Sequence, residues 1–98
     1  MVKYLDYKGK KVPVRISYRA LQGFMTDTKK SVDDIDEDLS LLEPLLYHSI
    51  LSGYKAEGKE MTYGREDMVD ILDECMNDFL KIIPEFFAMG GGEGAKKN

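Results

Sequence analysis

Val2-Lys3-Tyr4-Leu5-Asp6-Tyr7-Lys8-Gly9-Lys10-Lys11-Val12-Pro13-Val14-Arg15-Ile16-Ser17 is the stretch on which the fold turns. Its first half alternates, with Val2, Tyr4 and Asp6 on one face and Lys3, Leu5 and Tyr7 on the other. Its second half alternates again, Val12, Val14 and Ile16 against Pro13, Arg15 and Ser17. A period of two is the pattern of a half-buried strand. Between the halves lies Lys8-Gly9-Lys10-Lys11, where Gly9 is free to take the positive φ that a tight hairpin turn requires. The reading is a two-stranded β-hairpin over residues 2–16. Pro13 has no N–H to give to a ladder, so its backbone is expected to face away from the partner strand or to lie at an edge. An isolated hairpin is marginal in water, so the Val12, Val14 and Ile16 face needs helices to pack on.

Working outward, the pattern changes from a period of two to a helical one. Ser17 stands where an N-cap belongs, and Leu21, Phe24, Met25 and Thr28 follow at i, i+3, i+4 and i+7. Ser31-Val32-Asp33-Asp34 reads as a capping box opening a short acidic helix, and Ser40-Leu41-Leu42-Glu43 as a second. Pro44 falls in a first helical turn, where its missing N–H costs least. Leu42, Leu45, Leu46, Ser49 and Ile50 continue that stripe until Gly53, the expected stop. Thr62 is the expected N-cap of the longest helix, whose apolar stripe is Met68, Leu72, Cys75, Met76, Phe79, Ile82 and Ile83. Pro84 ends or kinks it. The expected helices thus cover about 18–29, 32–38, 41–52 and 63–83. The fold class is α+β: an N-terminal two-stranded hairpin packed on a small bundle of three to four helices. Residues 1–89 form one domain, and the Gly-rich run 90–98 is expected to be a flexible tail.

A chain of 98 residues has the size of a single domain. Folding at this length removes only roughly 60–65% of the surface the unfolded chain exposes. No apolar run approaches the ~20 residues a membrane helix needs, and the charged N-terminus lacks the pattern of a secretion signal. A cytoplasmic location is the expectation, and one cysteine, Cys75, rules out an internal disulfide. The net charge of −4 argues against nucleic acid as partner. Lys8, Lys10, Lys11 and Arg15 form a local basic group, best read as residues that keep a hairpin tip soluble.

Catalytic chemistry finds little to stand on. His48 is the only histidine, so zinc-type clusters and paired-histidine mechanisms are absent. Cys75 lies on the apolar stripe, where a free cysteine behaves as a small hydrophobe. Asp34, Asp36 and Asp38 have the opening spacing of an EF-hand loop. Its glycine position holds Leu39, however, and its bidentate glutamate position holds Leu45. Gly90-Gly91-Gly92 is not set between a strand and a helix, as a phosphate loop would be. The chain reads as no enzyme, with no cofactor and no metal.

Apolar surface is what remains. Phe79, Leu80, Ile82, Ile83, Phe86, Phe87 and Met89 crowd into eleven positions. Two readings stand: all of them fill a small core, or some form an edge that another chain covers. On the second reading the contact residues are Leu80, Ile83, Phe86, Phe87 and Met89, with Leu46 and Ile50 as further candidates.

The order of these features resembles that of bacteriophage tail assembly chaperones. Three stretches carry the resemblance. They are the hairpin running into a helix, Lys8 to Leu21; the leucine-rich segment Leu39 to Gly53; and Met61-Thr62-Tyr63-Gly64-Arg65-Glu66-Asp67-Met68-Val69-Asp70-Ile71-Leu72-Asp73 with the acidic helix after it. The resemblance implies a protein-binding factor in the cytoplasm of an infected host. Its partner would be the tape measure protein or another tail component, with a homo-oligomer possible. The alternative is a structural virion protein or a self-assembling phage protein.

Overall fold

The structure is a computed structural model that describes residues 2–88. β1 (Val2–Tyr7) and β2 (Lys10–Arg15) pair antiparallel, with Leu5 opposite Val12 and Tyr4 opposite Pro13. Only Lys8 and Gly9 form the turn, at φ 51° and 78°, the two successive positive values of a type I′ hairpin. Tyr7 and Lys10 flank that turn. Hydrogen-bonded and non-bonded pairs alternate from there, so Tyr4–Pro13 is a non-bonded pair. The proline's missing N–H therefore leaves the ladder whole, as expected of it.

α1 (Tyr18–Thr28) begins where the sequence reading places it, with the Ser17 hydroxyl accepting from the Ala20 amide at 3.1 Å. It stops at Lys29, which takes the left-handed conformation at φ 61°. The expected helix over 32–38 is instead a 3-10 turn, Val32–Asp36, whose Asp34 carboxylate accepts from the Ser31 amide at 2.9 Å. A second 3-10 turn, Leu39–Leu41, is capped by Asp38, which accepts from the Ser40 amide at 3.1 Å. Ser40, the expected cap of the following helix, lies inside this turn, and that helix starts after Leu41 with no side-chain cap.

α2 (Leu42–Ala56) runs three residues past Gly53, the expected stop. The reason is tertiary. A Cβ on Gly53 would stand 2.6 Å from the carbonyl of Pro13, so the missing side chain lets α2 lie directly on the backbone of β2. α3 (Asp67–Ile82) starts later than expected, because Asp67 and not Thr62 tethers the entry: its carboxylate accepts from the Gly64 amide at 2.8 Å. Pro84 ends α3 and opens the short α4 (Pro84–Ala88).

α2 is the central element, with α1, β2 and α3 each packed on it. Leu5, Val12, Val14, Phe24, Ile71 and Phe79 meet its Leu45, Leu46 and Ile50 in one buried cluster. Polar clasps set the elements around that core. Ser17 and Ser52 share a hydrogen bond of 2.7 Å between α1 and α2. The Cys75 thiol donates to the Asp6 carbonyl at 3.0 Å, and the Lys8 amide donates to Glu74 at 2.9 Å, fixing α3 on the hairpin. Among the described residues no helix is long and apolar enough to cross a membrane.

Candidate functional site

The residues expected to make contacts separate into two groups. Leu46, Ile50 and Phe86 have no exposed surface, and Ile83 retains 8%. These four are core, which corrects their assignment to a contact edge. Leu46 and Ile50 are covered because α1, β2 and α3 all pack on α2, and Phe86 of α4 joins the same buried cluster. Phe87 is half-buried against the same cluster, and Met89 lies outside the described residues, as does the 90–98 run. Leu80 alone of the group stands well exposed, at 41%.

Leu80 is joined by Val69 and Met76, both exposed large hydrophobes of α3. Their spacing, i, i+7 and i+11, returns to one side of a helix. Met76 was expected on the core stripe; instead it faces outward, and Ile71, absent from the expected stripe, is fully buried. The helix also carries a local break. Cys75 has φ −119° and ψ 16°, non-helical values, and its thiol is bound to β1. Asp70, Asp73, Glu74 and Asp78 are exposed on the same helix, so the outer side of α3 is an apolar stripe set in carboxylates.

A second arrangement, unseen in the sequence, joins α1, α2 and the segment before α3. The Asp27 carboxylate accepts at one oxygen from His48 Nε2 (3.0 Å) and from the Arg65 guanidinium. These contacts, the histidine bond foremost, hold the Asp27 carboxyl below its ordinary value, and Asp27 in turn raises Arg65. A carboxylate oxygen only accepts, so Nε2 carries the proton. The other ring nitrogen lies against Gly23, where a Cβ would come within 2.4 Å of it. Arg65 also covers the Tyr47 ring, its guanidinium carbon 4.3 Å from the centroid, a cation–π contact. The sequence signal for this knot was slight: a helix-interior glycine, Gly23, that only a bulky neighbour explains.

On each side of the Asp27–Arg65 pair is a recess. One, about 220 Å³, lies by Pro44, Tyr47 and Met68. The other, about 650 Å³, runs between α1 and α2.

Among the described residues, His48 and Cys75 do not come together as a nucleophile–base pair. His48 and Cys75 serve different contacts, one between α1 and α2 and the other between α3 and β1. Burial, reinforced by Glu74, Asp78 and Asp6, pushes the Cys75 thiol up, away from the reactive thiolate. Asp34 and Asp38 are turned to Ser31 and Ser40, and among the described residues no group of three or more histidine, cysteine or carboxylate side chains is placed to hold a metal ion. In comparison with known proteins, no family model matches the chain, and neither a curated protein nor a solved structure does.

Proposed function

We propose that this chain is a non-enzymatic, protein-binding assembly factor of the phage tail assembly chaperone type. It acts in the host cytoplasm on the tape measure protein or another tail component. The observation that carries the reading is the uncovered stripe of Val69, Met76 and Leu80 on α3. Single exposed hydrophobes are ordinary on a protein surface, but large ones aligned on a helix form a contact surface. Such a stripe suits the apolar side of a helical client. The carboxylates around it keep the free protein soluble and disfavour acidic partners. The bond of His48 Nε2 to Asp27 and the burial of Cys75 support a role without catalysis.

The test is co-expression with the tail proteins encoded beside this chain, comparing wild type with Met76→Asp and Leu80→Asp. The expected result is co-purification and rescued solubility of the client, lost in both variants while their circular dichroism is unchanged. No capture by the wild type, or capture indifferent to the two substitutions, overturns the reading. A discrete ring or filament formed by the chain alone in light scattering replaces it with the structural, self-assembling role.

A further inference from the structure

We propose that the groove between α1 and α2 is a docking site for an acidic peptide segment carrying an apolar side chain between its carboxylates. The proposal concerns a different surface from the α3 stripe and does not depend on it. The groove is about 650 Å³, within the range of sites that hold side chains or small ligands. Its charge runs against that of the molecule. In a chain of net charge −4, Arg19, Lys55 and Arg65 line it. The one carboxylate among its lining residues is Asp27, already held by His48 and Arg65. Arg19 and Lys55 make no ion pair among the described residues. Two cations therefore stand on the rim without an anion.

Their placement sets the spacing of the ligand. α1 and α2 run antiparallel, Ser17 meeting Ser52 near one end and Asp27 meeting His48 near the other. Arg19 and Lys55 belong to the first end and Arg65 to the second. Eight residues of helix separate Arg19 from Asp27, a rise of about 12 Å. Between the ends lie Gly23, which presents no side chain, and Leu51, which is 40% exposed. An occupant with one carboxylate at the Arg19–Lys55 end, a second on the Arg65 N–H donors that Asp27 does not use, and a leucine-like side chain between them meets both the charge and the apolar surface. Guanidinium groups favour carboxylates through paired, charge-assisted hydrogen bonds. A nucleic acid fits less well. No aromatic ring among the lining residues other than His48, which is tied to Asp27, offers a base a stacking surface. The acidic surface of α3 also opposes a long phosphate chain.

The experiment is fluorescence anisotropy of a labelled synthetic helical peptide added to the full chain. The peptide has two glutamates seven residues apart, about 10.5 Å, framing two leucines. Its glutamine counterpart and a labelled oligothymidylate serve as comparisons. The glutamate peptide is expected to bind, and the glutamine peptide about tenfold more weakly. Arg19→Glu and Lys55→Glu are each expected to weaken binding by at least about tenfold, while Lys10→Glu on the hairpin tip leaves it unchanged. If either charge reversal disturbs the circular dichroism, Arg19→Gln and Lys55→Gln replace it. No binding of the glutamate peptide overturns the proposal, as does equal binding of the glutamine peptide or indifference to the groove variants. Tighter binding of oligothymidylate reassigns the groove to nucleic acid. Self-association abolished by Arg19→Glu reassigns it to a second copy, and both of these outcomes also overturn the proposal.

Discussion

Gly53 shows how much one residue can decide. Inside a helix, glycine costs about 1 kcal/mol relative to alanine, so propensity alone marks it as a weak point or an end. Here its bare Cα lets α2 rest on the backbone of β2, with a virtual Cβ 2.6 Å from both the carbonyl carbon and oxygen of Pro13. Backbone on that side cannot swing away as a flexible side chain could. Gly53→Ala is therefore expected to destabilise the fold by about 2–3 kcal/mol despite its better helix propensity. Urea denaturation measures this directly. A change within about 0.5 kcal/mol would mean that α2 sits farther from the strand than described. Gly23 works by the same logic against a softer neighbour, the His48 ring, which can rotate aside at the cost of its bond to Asp27.

At the scale of elements, the Asp27 knot ties α1 to α2 and to the entry of α3, with one carboxylate serving His48 and Arg65. Its pH dependence follows from the direction of the shift. Asp27 lies below its ordinary value of 3.8 in the folded state, so around that pH the unfolded chain binds more protons than the native one. The stabilisation is complete above 3.8 and is lost as the pH falls through the folded value. Asp27→Asn should thus flatten the acid limb of a stability-against-pH curve. Urea midpoints between neutral pH and pH ~3 read this out. An unchanged acid limb in the variant would remove Asp27 from the account. The break at Cys75 is the other element-scale device: φ and ψ leave the helical range there, and the thiol's bond to the Asp6 carbonyl fixes α3 on β1.

For the molecule as a whole, one buried cluster draws on the hairpin, on both 3-10 turns and on all four helices. Neither the hairpin nor any helix has a core of its own. Unfolding is accordingly expected to be a single cooperative transition, with far-ultraviolet circular dichroism and tyrosine fluorescence superimposing in urea. Separated midpoints would show that the hairpin or α4 unfolds independently. Charge is segregated over the same body, with acid on the outer side of α3 and unpaired cations along the α1–α2 groove.

Much of this was legible from local pattern. The alternation of Val2–Tyr7 and Val12–Ile16, Gly9 in the turn, the tolerance of Pro13 and the Ser17 cap all depend on neighbours within a few residues. The hairpin and α1 accordingly lie where the sequence reading puts them, and the α+β class with them. The exposed apolar surface was only partly legible, through Leu80. Periodicity says that a residue is apolar and on a stripe; it does not say what covers that stripe. Phe86, Leu46 and Ile50 became core because α4 joins the cluster and α2 lies at its centre, while Val69 and Met76 stayed outside because no described element covers them. The Asp27–His48–Arg65 knot joins residues up to 38 positions apart, and no spacing rule reaches that far. Local stereochemistry wrote the elements into the sequence, and only their packing decided which apolar and charged side chains were left exposed.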